Sequence, residues 1–189
     1  MPALQWIAPL DENGRIPGAQ HIDSPNQDVR PEGSGIDLVV IHAISLPPDE
    51  FGGPGVEQLF TNQLDPDEHP YYASIAQLRV SAHFFVRRDG SLLQFVPVTQ
   101  RAWHAGVSNW KGRERCNDFS IGIELEGCDT QPFRAEQYDS LSRLLSRIRQ
   151  RYPQVDICGH SDIAPGRKTD PGPFFEWARL SALLATRPG

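Results

Sequence analysis

Largely apolar runs, separated by turn signals, divide the chain into short predicted strands. The stretches Asp37–His42, Phe119–Leu125 and Asp156–His160 have the length of strands that are buried on both faces. Ser81–Arg87 and Ser91–Val96 flank an Asp-Gly pair, which is a strong signal for a β-hairpin. The pattern therefore predicts three buried strands and one hairpin, and two of the buried strands end on a histidine.

A helical period follows in the second half of the chain. Between Gln137 and Arg151 the apolar residues recur at helical spacing, so one face of a helix should pack on the core, and Pro153 should end it. Shorter helices are predicted around Val56–Asn62 and Phe174–Ala185. Strands separated by helices, together with one hairpin, predict an α/β fold with a central mixed sheet and flanking helices in a single domain.

Two parts of the chain lack this periodicity. Residues 1–36 are rich in Pro, Gly, Asn and Asp, which predicts an irregular N-terminal arm before a folded domain over residues 37–189. The stretch after Asn62 contains Asp65-Pro66 and His69-Pro70 and is predicted to be a loop. The chain has 189 residues, which is comfortable for one domain and tight for two.

Composition narrows the class of protein. The net charge of −6 argues against a nucleic-acid or membrane-surface partner, because both reward clustered Lys and Arg. The three cysteines, Cys116, Cys128 and Cys158, have irregular spacing and form no disulfide framework. Neither a signal-peptide pattern nor an apolar run of about 20 residues is present in the sequence. These features lead us to expect a cytoplasmic location.

The strand-end histidines suggest a metal site. His42 and His160 each lie where a buried strand gives way to a polar loop, and the Pro- and Gly-rich loop after His160 could return Asp170 to them. Two imidazoles and one carboxylate suit zinc, and three protein ligands leave a fourth position for water. The spacing alone also fits another interpretation, in which both histidines are hydrogen-bonded core residues and Asp170 is a turn residue before proline.

Candidate catalytic groups lie on the neighbouring elements. Glu124 and Glu126 are two apart on a strand and so share a face, and Glu124 is the deeper one and the better candidate for a general base. Lys168, two residues before Asp170, could stabilise an oxyanion. A salt-bridged strand end and a solvated loop lysine are the alternatives.

Other side chains are candidates for binding rather than for chemistry. Trp103, in a loop, could stack on a sugar ring or pack in the core, and Arg79 and Arg115 could pair with a substrate carboxylate or form surface ion pairs. Cys158 lies two residues before His160 on the same strand, so its thiol could face the metal side or act as a small buried hydrophobe.

Taken together, six stretches in order resemble the AmpD-type 1,6-anhydro-N-acetylmuramyl-L-alanine amidases, which are related to phage lysozyme-type amidases and peptidoglycan recognition proteins. The resemblance covers roughly residues 37–180, and residues 1–36 match only loosely. The matching stretches are LVVIHAISLPPDEFGG, LFTNQLDPDEHPYY, LRVSAHFFVRRDG, RAWHAGVS, GRERCNDFSIGIELEG and GHSDIAPGRKTDPGP.

The resemblance implies a reaction and a set of residues. It implies one Zn²⁺ per chain, an anhydromuramyl peptide substrate, and hydrolysis of the amide between the lactyl group and L-alanine in cytoplasmic peptidoglycan recycling. It also implies a link to inducible β-lactamase expression, and it points to no nucleic-acid, membrane or obligate protein partner. The residues implied are His42, His160 and Asp170 for the metal, Glu124 and Lys168 for catalysis, and Arg79, Trp103, Arg115 and Arg167 for substrate.

Two departures and two rival functions accompany this expectation. Ala43 stands where the family usually has asparagine, and Cys158 stands where a polar residue often precedes Gly-His. A non-catalytic peptidoglycan-binding module of the same fold should lack a ligand or a catalytic residue, whereas this chain keeps them all. A metal-free glycosidase using Glu124 and Asp170 would leave both strand-end histidines without a function.

Overall fold

The computed structural model describes residues 8–186. Within that range the strands are β1 (Gln20–His21), β2 (Gln27–Val29), β3 (Leu38–Ile44), β4 (Phe84–Val86), β5 (Leu92–Gln94), β6 (Gln100–Ala102), β7 (Asn109–Trp110), β8 (Arg113–Glu114), β9 (Ser120–Glu126) and β10 (Asp156–Gly159). The α-helices are α1 (Gly55–Phe60), α2 (Pro70–Ile75), α3 (Ala135–Arg151), α4 (His160–Ile163) and α5 (Trp177–Ala185), and a 3₁₀ helix spans Cys116–Asp118.

Six of these strands form one mixed sheet in the order β1-β5-β4-β9-β3-β10. The four strands β4, β9, β3 and β10 are parallel to one another, while β5 runs antiparallel to β4 and parallel to β1. Every residue of β9 is buried and so are the first five of β3, because both strands are central and covered on both faces. The predicted α/β fold with a central mixed sheet is confirmed, as are the hairpin and two of the buried strands. The third predicted strand, β10, is present, but it lies at the edge of the sheet and only its last two residues are buried.

Alternate residues of the central strands enter different core layers. Val39 and Ile41 face the layer that packs under α3, with Leu144 among its contacts. Leu38 and Val40 face the opposite layer. This alternation places His42 on the second side of the sheet, away from α3.

Helix α3 forms where the helical period predicts it. The Gln137 side chain accepts a hydrogen bond from the Arg134 backbone N–H at 3.0 Å, which satisfies a group at the start of the helix. The Gln137 amide also donates to the Glu126 carbonyl at 3.0 Å, so the helix is tied to the end of β9. The helix ends at Arg151, two residues before Pro153.

The N-terminal segment is more regular than its composition suggests. Within residues 8–36, β1 extends the edge of the main sheet and β2 pairs antiparallel with β6. Arg30 is buried and donates to the carbonyls of Val98 and Ser120, which ties this segment to the main domain. Residues 1–7 of the predicted arm lie outside the described residues, and the division at residue 36 stays a prediction.

The predicted loop after Asn62 contains a helix that the pattern does not reveal. Pro70 occupies the first position of α2, and the His69 ring accepts a hydrogen bond from the Tyr71 backbone N–H at 3.0 Å. With six residues, α2 is too short to show an amphipathic period. The closing helix begins at Trp177 rather than Phe174. Among residues 8–186, no helix combines the length and apolar character needed to cross a membrane.

Candidate metal centre and active site

Three adjacent parallel strands bring their polar ends to one edge of the sheet. His42 lies near the end of β3 and is paired in register with Glu124 of β9. On the other side of β3, Gly159 of β10 pairs with Ile41, so His160 follows at the level of His42. Because neighbouring strands lie about 4.8 Å apart, this register alone groups the two imidazoles with the carboxyl group.

The loop after α4 delivers the third candidate ligand, Asp170. The Asp170 carbonyl accepts a hydrogen bond from the Ser161 backbone N–H at 3.0 Å, which closes the loop onto the start of α4. The Thr169 hydroxyl donates to the Asp129 carboxylate at 2.6 Å and ties the loop to the segment after β9. Asp170 is thereby held beside His160, ten residues away in sequence.

The geometry of the three residues fits a small tetrahedral metal ion. The Asp170 Oδ2 lies 3.2 Å from His42 Nδ1 and 3.1 Å from His160 Nδ1, and the two Nδ1 atoms are 3.0 Å apart. Ligand atoms about 2.0–2.2 Å from a tetrahedral zinc lie roughly 3.3–3.6 Å from one another. The observed triangle is only slightly tighter, and two imidazoles with one carboxylate are a donor set that zinc accepts.

Burial and mutual contact set the charge states of these groups. Burial lowers the pKa of His42 to about 4, although Asp170 partly opposes that shift. Burial alone would raise the pKa of Asp170, but contacts with the imidazoles of His160 and His42 more than offset it and hold that pKa well below its usual value. The cluster therefore offers a neutral imidazole and an ionised carboxylate, which are the forms that bind a cation.

Glu124 lies beside this triangle and is incompletely paired. Its Oε1 is 4.0 Å from His42 Nδ1, and its buried Oε2 has no hydrogen-bond partner among the described residues. Burial raises the pKa of Glu124 well above its usual value, the charge of Asp170 raises it further, and Lys168 opposes both. A carboxyl group whose pKa is raised accepts a proton more readily than a free one, as a general base must.

A cavity of about 370 Å³ opens onto the cluster. Glu124, Lys168 and Trp103 line it together with the three candidate ligands, and Lys168 is exposed. The structure therefore brings together the predicted catalytic and metal-binding residues. The rest of the wall is largely apolar and includes Leu46, Leu59, Phe60, Ile75 and Val80.

The predicted substrate-binding residues are spread more widely. Arg79, Trp103 and Arg167 border a second cavity of about 220 Å³, which also touches His160 and Lys168. Arg115 instead borders a third cavity of about 540 Å³, where Arg167 is again part of the wall. The Arg167 guanidinium donates to backbone carbonyls of the segment after His104, so part of its donor capacity is already used.

Several nearby residues were not predicted to take part. His104 is buried and its Nδ1 lies 2.9 Å from His42 Nε2, and Asn117 and Ser120 hold the same region. The sequence signal for His104 is its place beside Trp103 in a segment of small residues, which by itself assigns no role. Cys158 lies in the apolar layer with Val40, where burial raises the pKa of its thiol.

The fold and the site together define an α/β protein that carries a His-His-Asp centre beside a buried carboxyl group. Residues 32–173 match the sequence model of the N-acetylmuramoyl-L-alanine amidase family, and the chain belongs to that family.

Individual relatives agree with this assignment. The chain is 56% identical, over 94% of its length and 96% of the relative, to the 1,6-anhydro-N-acetylmuramyl-L-alanine amidase AmpD of Enterobacter cloacae. A crystal structure of a Se-Met AmpD derivative superposes with a TM-score of 0.90 at 54% identity, covering 92% of this chain and 98% of that one. The AmiD amidase of Escherichia coli, solved with anhydro-N-acetylmuramic acid-L-Ala-D-γ-Glu-L-Lys, gives a TM-score of 0.59 at 31% identity and covers 82% and 60% of the two chains.

Proposed function

We propose that this protein is a zinc-dependent hydrolase of cytoplasmic peptidoglycan recycling. Its reaction is cleavage of the amide bond between the lactyl group of 1,6-anhydro-N-acetylmuramic acid and L-alanine. The observation that carries the proposal is the buried, incompletely paired Glu124 beside the His42–His160–Asp170 triangle. The E. cloacae relative is named for this activity, and the E. coli AmiD structure holds an anhydromuramyl tripeptide.

The three ligand residues would hold the metal through His42 Nδ1, His160 Nδ1 and an Asp170 carboxylate oxygen. When bound, zinc supplies Lewis acidity toward a water molecule and toward the substrate carbonyl. Two protein groups complete the reaction. Glu124 removes a proton from the attacking water and later delivers it to the leaving nitrogen of L-alanine. The Lys168 ammonium stabilises the negative charge that develops on the carbonyl oxygen.

Substrate contacts follow from the cavity walls. The Trp103 indole lines both the cavity at the metal centre and its neighbour, which suits stacking on a sugar ring. Arg79 and Arg167 line the neighbouring cavity and suit the carboxylates of the stem peptide, with Arg115 farther along the same side. Bidentate pairing would require Arg167 to give up at least one of its carbonyl acceptors.

The decisive experiment is mass spectrometry of the products from anhydromuramyl tripeptide, with the zinc-loaded protein and after chelation. We expect anhydromuramic acid and free tripeptide from the loaded protein, no cleavage after chelation, and recovery when zinc is added back. Cleavage that resists chelation would contradict zinc dependence, and cleavage of a sugar–sugar bond would favour a glycosidase. Tight binding without turnover by the loaded protein would favour a binding module.

The cellular role has a separate test. In a bacterium with an inducible β-lactamase, loss of the gene for this protein should raise β-lactamase expression and cause anhydromuramyl peptides to accumulate in the cytoplasm. A Glu124→Gln copy should fail to reverse either effect, whereas the unchanged gene should reverse both. Accumulation outside the cytoplasm would contradict the proposed location.

A further inference from the structure

His104 occupies a position behind the metal centre that the proposed reaction does not use. It is buried, and its Nδ1 lies 2.9 Å from His42 Nε2, the nitrogen of His42 that points away from the triangle. A slot in β9 accommodates its ring: a Cβ atom on Gly122 would lie 2.4 Å from His104 Cγ. Because only glycine leaves this space, the sequence of β9 is matched to an imidazole at this point.

The hydrogen bonds beyond His104 can be given a direction. The chain of contacts ends on the Cys116 carbonyl, which can only accept, so the Ser120 hydroxyl donates to it at 2.5 Å. With its proton engaged, Ser120 Oγ accepts from His104 Nε2 at 3.2 Å. A neutral His104 that is protonated on Nε2 carries its lone pair on Nδ1 and therefore accepts from His42 Nε2.

We propose that His104 is a positioning residue that, anchored by Ser120, keeps the proton of His42 on Nε2 and so directs the His42 Nδ1 lone pair at the metal. The inference rests on the proposed zinc dependence, but the tautomer of His104 can be measured without metal. Without this acceptor, His42 Nδ1, at 3.2 Å from the Asp170 carboxylate, would itself tend to carry the proton. A proton on that atom blocks metal binding.

Ala105, the residue after His104, orients the second candidate ligand, His160, in the same way. His160 Nε2 lies 3.1 Å from the Ala105 carbonyl, which again can only accept, so the lone pair of His160 remains on Nδ1. The Asn117 side-chain oxygen accepts from the backbone N–H groups of His104 at 3.1 Å and Ala105 at 2.8 Å. One segment of two residues, clasped by one asparagine, therefore orients both metal-binding imidazoles.

The test combines nitrogen NMR with zinc affinity. Histidine ring ¹⁵N shifts of wild-type protein should show His104 protonated on Nε2, with and without zinc, and His42 protonated on Nε2 when zinc is bound. Zinc affinity, measured by competition with a chelating dye, should fall about 10–100-fold in His104→Phe, which keeps a ring over Gly122 but offers no acceptor. His104→Asn, whose side-chain oxygen can replace Nδ1, should recover most of that loss.

Two serine variants separate positioning from general damage. Ser120→Ala should weaken zinc binding and leave His104 as a mixture of tautomers. Ser140→Ala removes a matched hydroxyl, buried and donating to the Gly90 carbonyl at 2.5 Å on the α3 side of the sheet, and should match wild type in both measurements.

Each outcome bears on the proposal. An Nδ1-protonated His104 in wild type overturns it without any variant. If His104→Phe does not fold, unchanged zinc affinity and an unchanged His104 tautomer in Ser120→Ala overturn it. A wild-type protein that binds no zinc refutes the proposed zinc dependence instead, and the His104 tautomer remains a separate result.

Discussion

Glu124 and Glu126 lie two residues apart on the same face of β9, but their carboxyl groups differ in how completely they are hydrogen-bonded. Both carboxyl groups are largely buried. Glu126 accepts hydrogen bonds from the backbone N–H groups of Gly52 at 2.5 Å and Arg88 at 2.9 Å, one on each oxygen. Glu124 has the His42 ring 4.0 Å from one oxygen, and its other oxygen has no partner among residues 8–186.

This difference in hydrogen bonding suits Glu126 to a structural role and Glu124 to a chemical one. Burying a carboxyl group costs free energy unless hydrogen bonds or charges compensate. The region around Glu126 is compensated by the chain itself, so this residue fastens two loops to the end of the sheet. The region around Glu124 lacks this compensation among residues 8–186, which fits the proposed role of Glu124 as the general base. Exchanging each carboxyl group for an amide of the same shape should make the two regions respond in opposite ways.

The largest effect is expected on turnover. Glu124→Gln should lower kcat by about 10²–10⁴-fold, the usual cost of losing a general base. Zinc affinity should stay close to that of wild type because the three ligands are untouched, and thermal stability should be equal or higher because a buried ionisable group is removed. Steady-state kinetics would measure kcat, competition with a chelating dye would measure zinc affinity, and thermal melts would measure stability. Near-normal turnover would refute the role of Glu124 as the base.

The paired variant should lose stability instead. In Glu126→Gln the new NH₂ group faces either the Gly52 or the Arg88 backbone N–H, so one buried donor loses its acceptor at a cost of about 1–3 kcal/mol. Urea denaturation should report this as a lower free energy of unfolding, while kcat at low temperature stays within a few-fold of wild type. A loss of turnover as large as that of Glu124→Gln, with stability unchanged, would show that both regions are catalytic.

The zinc-free protein should lose stability at acid pH because its buried histidines resist protonation. In zinc-free protein, burial lowers the pKa of His42 to about 4, that of His83 to about 3 and that of His104 well below its usual value. Unfolded histidine titrates near pH 6.5, so the stability that these residues contribute is present above that pH. It is lost as the pH falls toward the folded pKa values. Each group contributes about 1.4 kcal/mol per pH unit where it is protonated only in the unfolded chain.

The pKa shift of Glu124 has the opposite effect on stability. Its pKa is raised on folding, so its contribution is present below the unfolded value of about 4.3 and disappears as the pH rises through the folded pKa. Between the unfolded pKa and the raised folded pKa it therefore opposes the histidines. Glu124→Gln should make the loss of stability with acid steeper by up to about 1.4 kcal/mol per pH unit in zinc-free protein. Parallel denaturation series that fall with the same slope would contradict a raised pKa at Glu124.

Sequence reasoning predicted the strands and helices themselves better than it predicted which of them lie next to one another in the fold. The apolar runs located β3, β9 and β10, and the helical period located α3, because both signals are local. The order of strands in the sheet depends on pairings between distant parts of the chain, and a one-dimensional pattern does not contain them. Helix α2 was missed because a cap and a proline define it rather than a period.

The candidate site, like the fold, could be predicted from the sequence only in part. Spacing alone left His42, His160 and Asp170 undecided, and it was the resemblance to a family that grouped them as ligands. Position along the strand favoured Glu124 over Glu126 as the base, but the hydrogen bonding that separates the two depends on which loops reach their oxygens, and the sequence pattern does not contain that. The role of His104 depends on a slot above Gly122, which is visible only after the strands are assembled.

The smallest effect is expected on the opposite face of the sheet. Ala43 borders the cavity at the metal centre, but it pairs in register with Leu125, the residue between the two glutamates, and its side chain packs against the core layer under α3. Ala43→Asn, which introduces the residue usual in the family, should therefore change kcat/KM by about twofold or less, while an amide against apolar side chains should cost about 1 kcal/mol of stability. Ile44→Asn is the matched control, because Ile44 also borders the cavity but packs on the other side of the sheet, the side of His42 and Glu124, and it should lower kcat/KM more strongly. Equal losses of kcat/KM in the two variants would mean that position 43 reaches the substrate and that the acidic face of β9 is not the only side of the sheet that serves the reaction.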